Sequence, residues 1–460
     1  MKLLDYCVQL CAIAASAHLK VASYVFLRML PLGYNFLPKI LAAYALFATS
    51  FFLHLRSPFR TKVFILDSVA NTIILLFIAD FLYRGHIFHQ ENNLAFSRLG
   101  FVNATSSRLV IRYPIASNFT LTYVPSGSGV GGKVQALISS SEDYTTSVTL
   151  SDLVPSTQYE YTTSLGHLGS FITPSTEQKR FSFISSSCWK PFYPYNPLSH
   201  SLSLPGLRSL GDYLDKTGAP DFIFFLGDFI YSDLPVKIAP YTREYYTTLF
   251  RQVYASPDWS YKLRNTPWLH MFDDHELVND FYQEMTDGEN IYRNAMNPFV
   301  WYQNRANPPS TGPNKFYYTF KRGDASFFVL DTRSYRGVPP AKDAQDGGLG
   351  QRSMLGKQQL AELEAWIRDE KGWKVIVSGV PFTRNWSGGG DEMDSWAGYL
   401  EERQHIFELL WESGGGIIIS GDRHEHATVK FLLPHRPLIR KKMLSSSSQL
   451  LLCHSSSNPS

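Results

Sequence analysis

Three long apolar stretches open the chain, at roughly 5–29, 40–55 and 63–83. No acidic residue occurs between Asp5 and Asp67. The second and third stretches approach the ~20 apolar residues that cross a bilayer. His18 and Lys20 interrupt the first, so a cleaved leader peptide competes with a membrane span there. More apolar sequence follows it, rather than the polar start of a mature domain. The pattern therefore predicts a transmembrane region over 1–85, with three helices, or two as the alternative. Asp67 and Asp80 lie near the ends of the third stretch, where water is close, and receive no functional role. Arg56, Arg60 and Lys62 sit between the second and third stretches, and short basic loops stay cytoplasmic. The chain after Leu82 is then lumenal or extracellular, on a multi-pass membrane protein. Sequons at Asn103, Asn118 and Asn385 all fall beyond the membrane part.

The period then changes. Short runs rich in Val, Ile, Thr and Tyr alternate with Gly and Ser at Arg108–Tyr113, Phe119–Val124, Lys133–Ile138 and Thr146–Leu150. They are followed by Leu153-Val154-Pro155-Ser156-Thr157-Gln158-Tyr159. This Leu-x-Pro-x-Thr-x-Tyr pattern resembles the corner of fibronectin type III domains, in which a Tyr hydroxyl bonds to nearby backbone. Tyr159 would play that part in a β-sandwich over 86–176. An ordinary hairpin with a Pro turn is the plainer alternative.

From 177 to 430, apolar strand-like runs alternate with amphipathic segments. The runs are Phe181–Ile184, Asp221–Leu226, Ser326–Leu330, Val375–Ser378 and Ile417–Ser420, and residues 357–369 and 399–412 carry helical periodicity. Such alternation argues for an α/β layered domain. Residues 431–460 turn basic and then Ser-rich, and no closing strand is expected after His426. That end reads as a shortened or aberrant tail that leaves a sheet edge exposed.

Composition narrows the function. Charged residues are only 18% of the 460, against the ~25% usual for soluble domains. The net charge of +3 is too balanced for an electrostatic nucleic-acid binder. Cys7, Cys11, Cys188 and Cys453 are too scattered for a disulfide framework or a Cys-rich zinc module.

Candidate chemistry collects after the strand-like runs. Ser185-Ser186-Ser187 leads to Cys188; Leu226-Gly227 leads to Asp228, Tyr231 and Asp233. Met271-Phe272 leads to Asp273, Asp274, His275 and Glu276, with Asn279 and Asp280 a helical turn on. Ile419-Ser420-Gly421 leads to Asp422 and His424. Sites in open α/β sheets form beyond the carboxyl ends of strands, so these segments converge. Carboxylates and His suit hard to borderline cations, whereas thiolate and phenolate suit a ferric-type centre. A metal pair ~3.5–4 Å apart is bridged by a carboxylate, and Asp228 is the best candidate. A buried, inert thiol is the competing reading of Cys188.

These segments, with Leu330-Asp331-Thr332-Arg333-Ser334-Tyr335-Arg336, resemble the PhoD-like alkaline phosphatases of the calcineurin-like metallophosphoesterase superfamily. The resemblance covers about 180–430. It implies a four-layer α/β/β/α fold and a centre of Fe(3+) and Ca(2+), with other divalent metals as alternatives. Cys188, Tyr231 and His424 would ligate the iron, Asp228 would bridge, and Asn279 and Asp422 would serve the calcium. His275 would contact phosphate or protonate the leaving oxygen, with Asp274 beside it in the catalytic group. Arg333 would neutralise phosphate charge, a salt bridge to Asp331 being the structural alternative. The implied activity is a membrane-anchored phosphoesterase that hydrolyses phosphate esters of small molecules or lipids with metal-activated hydroxide. The alternatives are a phosphodiesterase or phospholipase-D-like hydrolase of lipid phosphates, and an inactive membrane scaffold suggested by the tail. No nucleic-acid partner is expected.

Overall fold

The computed structural model describes residues 2–54, 61–115, 117–127, 130–338, 352–383, 394–424, 426–432 and 451–455. The apolar stretches form α1 (Lys2–Arg28), α2 (Gly33–His54) and α3 (Thr61–Phe88). All three are long and apolar enough to cross a membrane. Leu10, Val21, Leu41, Phe52, Leu66 and Leu76 point outward from the bundle, as lipid-facing positions do. Several polar groups of the bundle are paired. Ser16 meets Asn71 at 3.0–3.2 Å, and Lys20 bridges to Asp67. Asp80 is ion-paired to Arg84 at 2.6 Å and accepts from the Tyr195 hydroxyl at 2.8 Å. Asp67 and Asp80 are thus fastened to partners rather than left to water.

The middle region contains β1 (Phe96–Val102), β2 (Ser107–Arg112), β3 (Asn118–Pro125), β4 (Gly132–Leu137), β5 (Thr145–Leu150), β6 (Gln158–Thr163) and β7 (Leu168–Ile172). They form two antiparallel sheets, ordered β1-β2-β5 and β4-β3-β6-β7. Alternate residues such as Leu109, Ile111, Leu121, Val148 and Phe171 fill the space between them. The Tyr159 hydroxyl accepts from the Val154 backbone N–H at 2.9 Å, which closes the predicted corner.

This sandwich is more than a spacer. Phe96 and Val110 join the core beneath the helices of the following domain, and Phe101 joins the core between that domain's sheets. Asp143 accepts from Arg112 at 3.0 Å, from Arg251 at 2.9 Å and from the Tyr302 hydroxyl. The Arg98 guanidinium lies 4.5 Å from the ring centre of Trp259.

The large domain is built on two sheets. β8 (Phe183–Ser186), β9 (Phe222–Leu226) and β10 (Trp268–Met271) run parallel in the order β10-β9-β8. The second sheet is ordered β11-β12-β13-β14-β16-β15. Its strands are β11 (Tyr318–Arg322), β12 (Ala325–Val329), β13 (Trp373–Ser378), β14 (Gly416–Ser420), β15 (Ala427–Phe431) and β16 (Leu451–Ser455). Phe222, Phe224 and Leu226 face Phe320, Phe327 and Val377 between the sheets. The alternate residues Ile223 and Phe225 face α4 (Pro205–Thr217), α5 (Arg243–Tyr254), α6 (Tyr261–Asn265) and α7 (Gly288–Tyr302). Phe328, Ile376 and Ile418 face α8 (Gly356–Asp369) and α9 (Leu400–Glu412). The result is the α/β/β/α layering expected. One expectation is corrected: β15 and β16 follow His426 and extend the sheet beyond β14, with β16 parallel to β14. Ala427–Phe431 mixes Thr and Lys with apolar residues, and Leu451-Leu452-Cys453 is a short apolar run among serines, so neither stood out as a strand.

Candidate metal centre

The site lies beyond the carboxyl ends of β8, β9, β10, β12 and β14. After β8, β9 and β14 the chain delivers its side chains through abrupt turns. Cys188 (φ 64°), Asp228 (φ 60°), Asp422 (φ 76°) and His424 (φ 52°) all adopt left-handed backbone conformations. Such conformations cost of order 1–3 kcal/mol each and cluster where side chains must be aimed. Gly227 precedes Asp228 at φ 95°, and a Cβ there would stand 2.4 Å from the Cβ of Asp273. Only glycine lets the ends of β9 and β10 approach this closely.

Two donor groups adjoin. In the first, Cys188, Asp228 and His424 place ligand atoms within 4.8 Å of one another. The Tyr231 hydroxyl lies 3.4 Å from Asp228 Oδ2 and 3.3 Å from His424 Nε2, and Cys188 Sγ lies 3.3 Å from the same Oδ2. In the second, Asp273, Asp274 and Asp422 converge within the same limit. Asp228 also groups with Asp274 and His275, so it stands between the two.

Burial and crowding dominate the electrostatics. Burial, then the neighbouring carboxylates, pushes Asp422 well above the ordinary carboxylate range. Burial does the same to Asp228, despite the opposing His275 ring. Asp273 is raised to about 7 by burial, against the pull of Arg333. Burial, reinforced by Asp228, also lifts the Cys188 thiol, and it lifts the Tyr231 phenol. Asp273 Oδ2 and Asp422 Oδ2 are buried and lack a hydrogen-bond partner among the described residues. Such orphaned acceptors suit cations, beside which carboxylate, thiolate and phenolate all become the stable forms. The residues fit a metal pair: a sulfur, nitrogen and oxygen set next to an all-oxygen set.

Around these groups stand residues that aim them. Glu276 accepts from the backbone N–H groups of Asp228, Phe229 and Asp273 at 2.6–2.9 Å, so it staples β9 to β10 rather than facing the centre. His275 Nδ1 lies 2.7 Å from Asp233 Oδ1, which leaves Nε2 for the site. Burial opposes charge on both, but their mutual attraction prevails: Asp233 is held below the usual range and His275 well above its own.

Arg333 and Asn279 have the following neighbours. Arg333 is fully buried and its planar fork is already occupied. It donates from Nε to Asp273 at 2.5 Å and from both terminal nitrogens to Asp394 at 2.5 and 3.0 Å. Its carboxylate partners are therefore Asp273, Asp394 and, at 3.6 Å, Asp274, and not Asp331, which accepts only its backbone N–H at 3.1 Å. Asn279 has an exposed side chain and meets the site through its backbone N–H, 2.9 Å from Asp233 Oδ2. The neighbouring Asp280 is the residue of this turn whose carboxylate groups with Asp274 and Asp394. Asp394 itself escaped the sequence reading, because Asp391-Glu392-Met393-Asp394 follows no strand-like run. Asp233 was visible two residues after Tyr231 but carried no signal of its pairing with His275.

A four-layer α/β/β/α domain with this donor set at its strand ends defines the metallophosphoesterase class. The sequence profile of the PhoD-like phosphatases matches residues 208–441. The chain belongs to the PhoD-like phosphatase family. Among solved structures, one titled "Structure of PhoD" shares 18% identity at a TM-score of 0.62, covering 79% of this chain and 76% of that one. The fn3 domain of the human collagen alpha-1(XX) chain is 19% identical at a TM-score of 0.15, covering 19% of this chain and 86% of its own. No curated protein matches the chain.

Proposed function

We propose that this phosphoesterase is metal-dependent and membrane-anchored, and that it hydrolyses phosphate esters on the lumenal or extracellular side. The observation that carries the reading is the convergence of four strand ends on two adjoining donor groups with orphaned carboxylate oxygens. Cys188, Asp228, Tyr231 and His424 would hold an iron-type ion; Asp273, Asp274 and Asp422 would hold a hard, calcium-type ion, with Asp228 between them. When bound, such a pair lowers the pKa of a coordinated water and stabilises charge on phosphoryl oxygens. Asp274, central to the second group, acts here as a ligand. His275, fixed through Nδ1 by Asp233, presents Nε2 to a phosphoryl oxygen or gives its proton to the departing ester oxygen. Arg333 and Arg336 stay with Asp394 and keep the carboxylate cluster from repelling itself apart.

Elemental analysis of the full chain in detergent, with aryl-phosphate turnover on the same sample, tests the reading. Two bound metals and turnover are expected. Asp228→Asn should reduce kcat by more than about a hundredfold, beyond the loss when a residue merely supports a ligand. A folded protein without metal, or an unaffected Asp228→Asn variant, overturns it. Turnover of an aryl monoester against an aryl diester sets the ester class.

A further inference from the structure

The two loops that leave the first donor group both run onto the membrane bundle. The segment after Cys188 brings Tyr195 between α1 and α3. The Tyr195 N–H donates to Leu27 O at 2.9 Å, Arg28 donates to Tyr195 O at 2.8 Å, and the Tyr195 ring packs on Phe77 and Phe81. Arg84 of α3 reaches Ser201 on the same loop at 2.8 Å. The segment after Tyr231 meets the turn between α1 and α2: the Gly33 N–H donates to Pro235 O at 2.8 Å. Lys190 then ties the loops to each other, its ammonium 2.6 Å from Leu234 O and 5.5 Å from the Tyr231 ring centre.

The fit is close where the bundle carries glycine. A Cβ on Gly33 would stand 2.3 Å from Val236 Cγ1 and 2.4 Å from Pro235 O. A Cβ on Gly85 would stand 2.9 Å from the Phe192 ring and 3.3 Å from Gln252 Nε2. Neither glycine has a positive φ, so space alone demands it. Between α3 and the loops a crevice is lined by Leu82, Gly85, His86, Lys190, Tyr231 and Leu234. The Tyr231 ring is therefore shared: its hydroxyl belongs to the donor group, and its body forms a wall against the membrane helix.

We infer that the membrane bundle is a positioning element of the metal centre, clamping the Cys188 and Tyr231 loops at their working separation. The inference rests on the phosphoesterase reading only for its catalytic consequence. Its structural content stands apart, in the order of residues 189–203 and 230–238. A tether would tolerate small displacements of the bundle; a clamp does not.

The test compares the full chain in lipid nanodiscs with Gly33→Ala, Gly33→Val and Gly85→Ala, by hydrogen exchange, metal content and aryl-phosphate kinetics. Graded effects are expected, Ala before Val. Exchange in 189–203 and 230–238 should quicken by about tenfold or more, while the sandwich at 96–172 keeps its protection. Metal should be lost more readily from the variants, and kcat should fall with KM little changed. Unchanged exchange in both loops across the folded variants overturns the clamp, whatever the activity. Should Gly33→Val fail to fold, the single-methyl variants decide by the same readouts. A wild-type chain without turnover, whose variants still loosen both loops, would overturn the phosphoesterase reading and leave the clamp in place.

Discussion

Asp394 shows how much one buried carboxylate can carry. It takes Nη1 and Nη2 of Arg333 and also accepts from Arg336, and the two guanidinium groups hold it well below the usual carboxylate range although burial works the other way. Asp394→Asn would leave two arginines buried beside an amide. Breaking such a pair costs about 3–5 kcal/mol. We expect a strongly lowered Tm with metal ligands formally intact, checked by thermal unfolding of the full chain. At this scale the sequence singled out Cys188, Asp228 and His424 because each follows a strand-like run, and the structure brings the three together. The sequence was uninformative where the partner comes from a distant loop. The resemblance gave Arg333 a phosphate-neutralising role, with a salt bridge to Asp331 as the alternative. Folding brings Asp273 and Asp394 to Arg333, and that choice depends on tertiary contacts across about 60 residues of chain.

Elements were legible when burial is two-sided or strictly periodic. The runs at Asp221–Leu226 and Ile417–Ser420 became β9 and β14 almost unchanged, and residues 357–369 became α8. Parallel strands buried on both faces read as continuous apolar runs, which explains that success. The strand β11 was not, because Tyr318–Arg322 mixes polar residues with aromatics on a sheet edge. β15, at the other edge, mixes polar and apolar residues in the same way, whereas β16 is a short apolar run among serines. The corner in the sandwich was legible from a turn signature instead. Its hydroxyl bond joins one side chain to one backbone N–H, so Tyr159→Phe should cost about 1 kcal/mol of stability and leave turnover unchanged. Denaturant unfolding and an activity assay would check both halves.

For the whole molecule, we propose one topology for the three apolar helices, each long enough to cross a membrane. The α1–α2 turn and the end of α3 both touch the large domain, through Gly33 and Pro235 and through Arg84 and Ser201. Lys62 opens α3, at the end of that helix opposite Arg84; Arg56 and Arg60 lie outside the described residues. With those basic residues cytoplasmic, Asn118, exposed at the start of β3, meets the glycosylation machinery. Expression in a glycosylating cell should give a mobility shift that glycosidase removes and that Asn118→Gln reduces. A chain without any shift would favour the opposite orientation. Asn385 lies outside the described residues and contributes nothing to this expectation.

Phe96, Val110 and Phe101 belong by sequence to the sandwich and by packing to the large domain. Two bodies that share one interior cannot melt separately. Calorimetry should therefore record one cooperative transition for the part outside the membrane, rather than two. It follows that the boundary near residue 176 is a feature of the chain and not a place where the molecule can be cut. Each half, taken alone, would present its partner's aromatic seat to water and would be prone to aggregate.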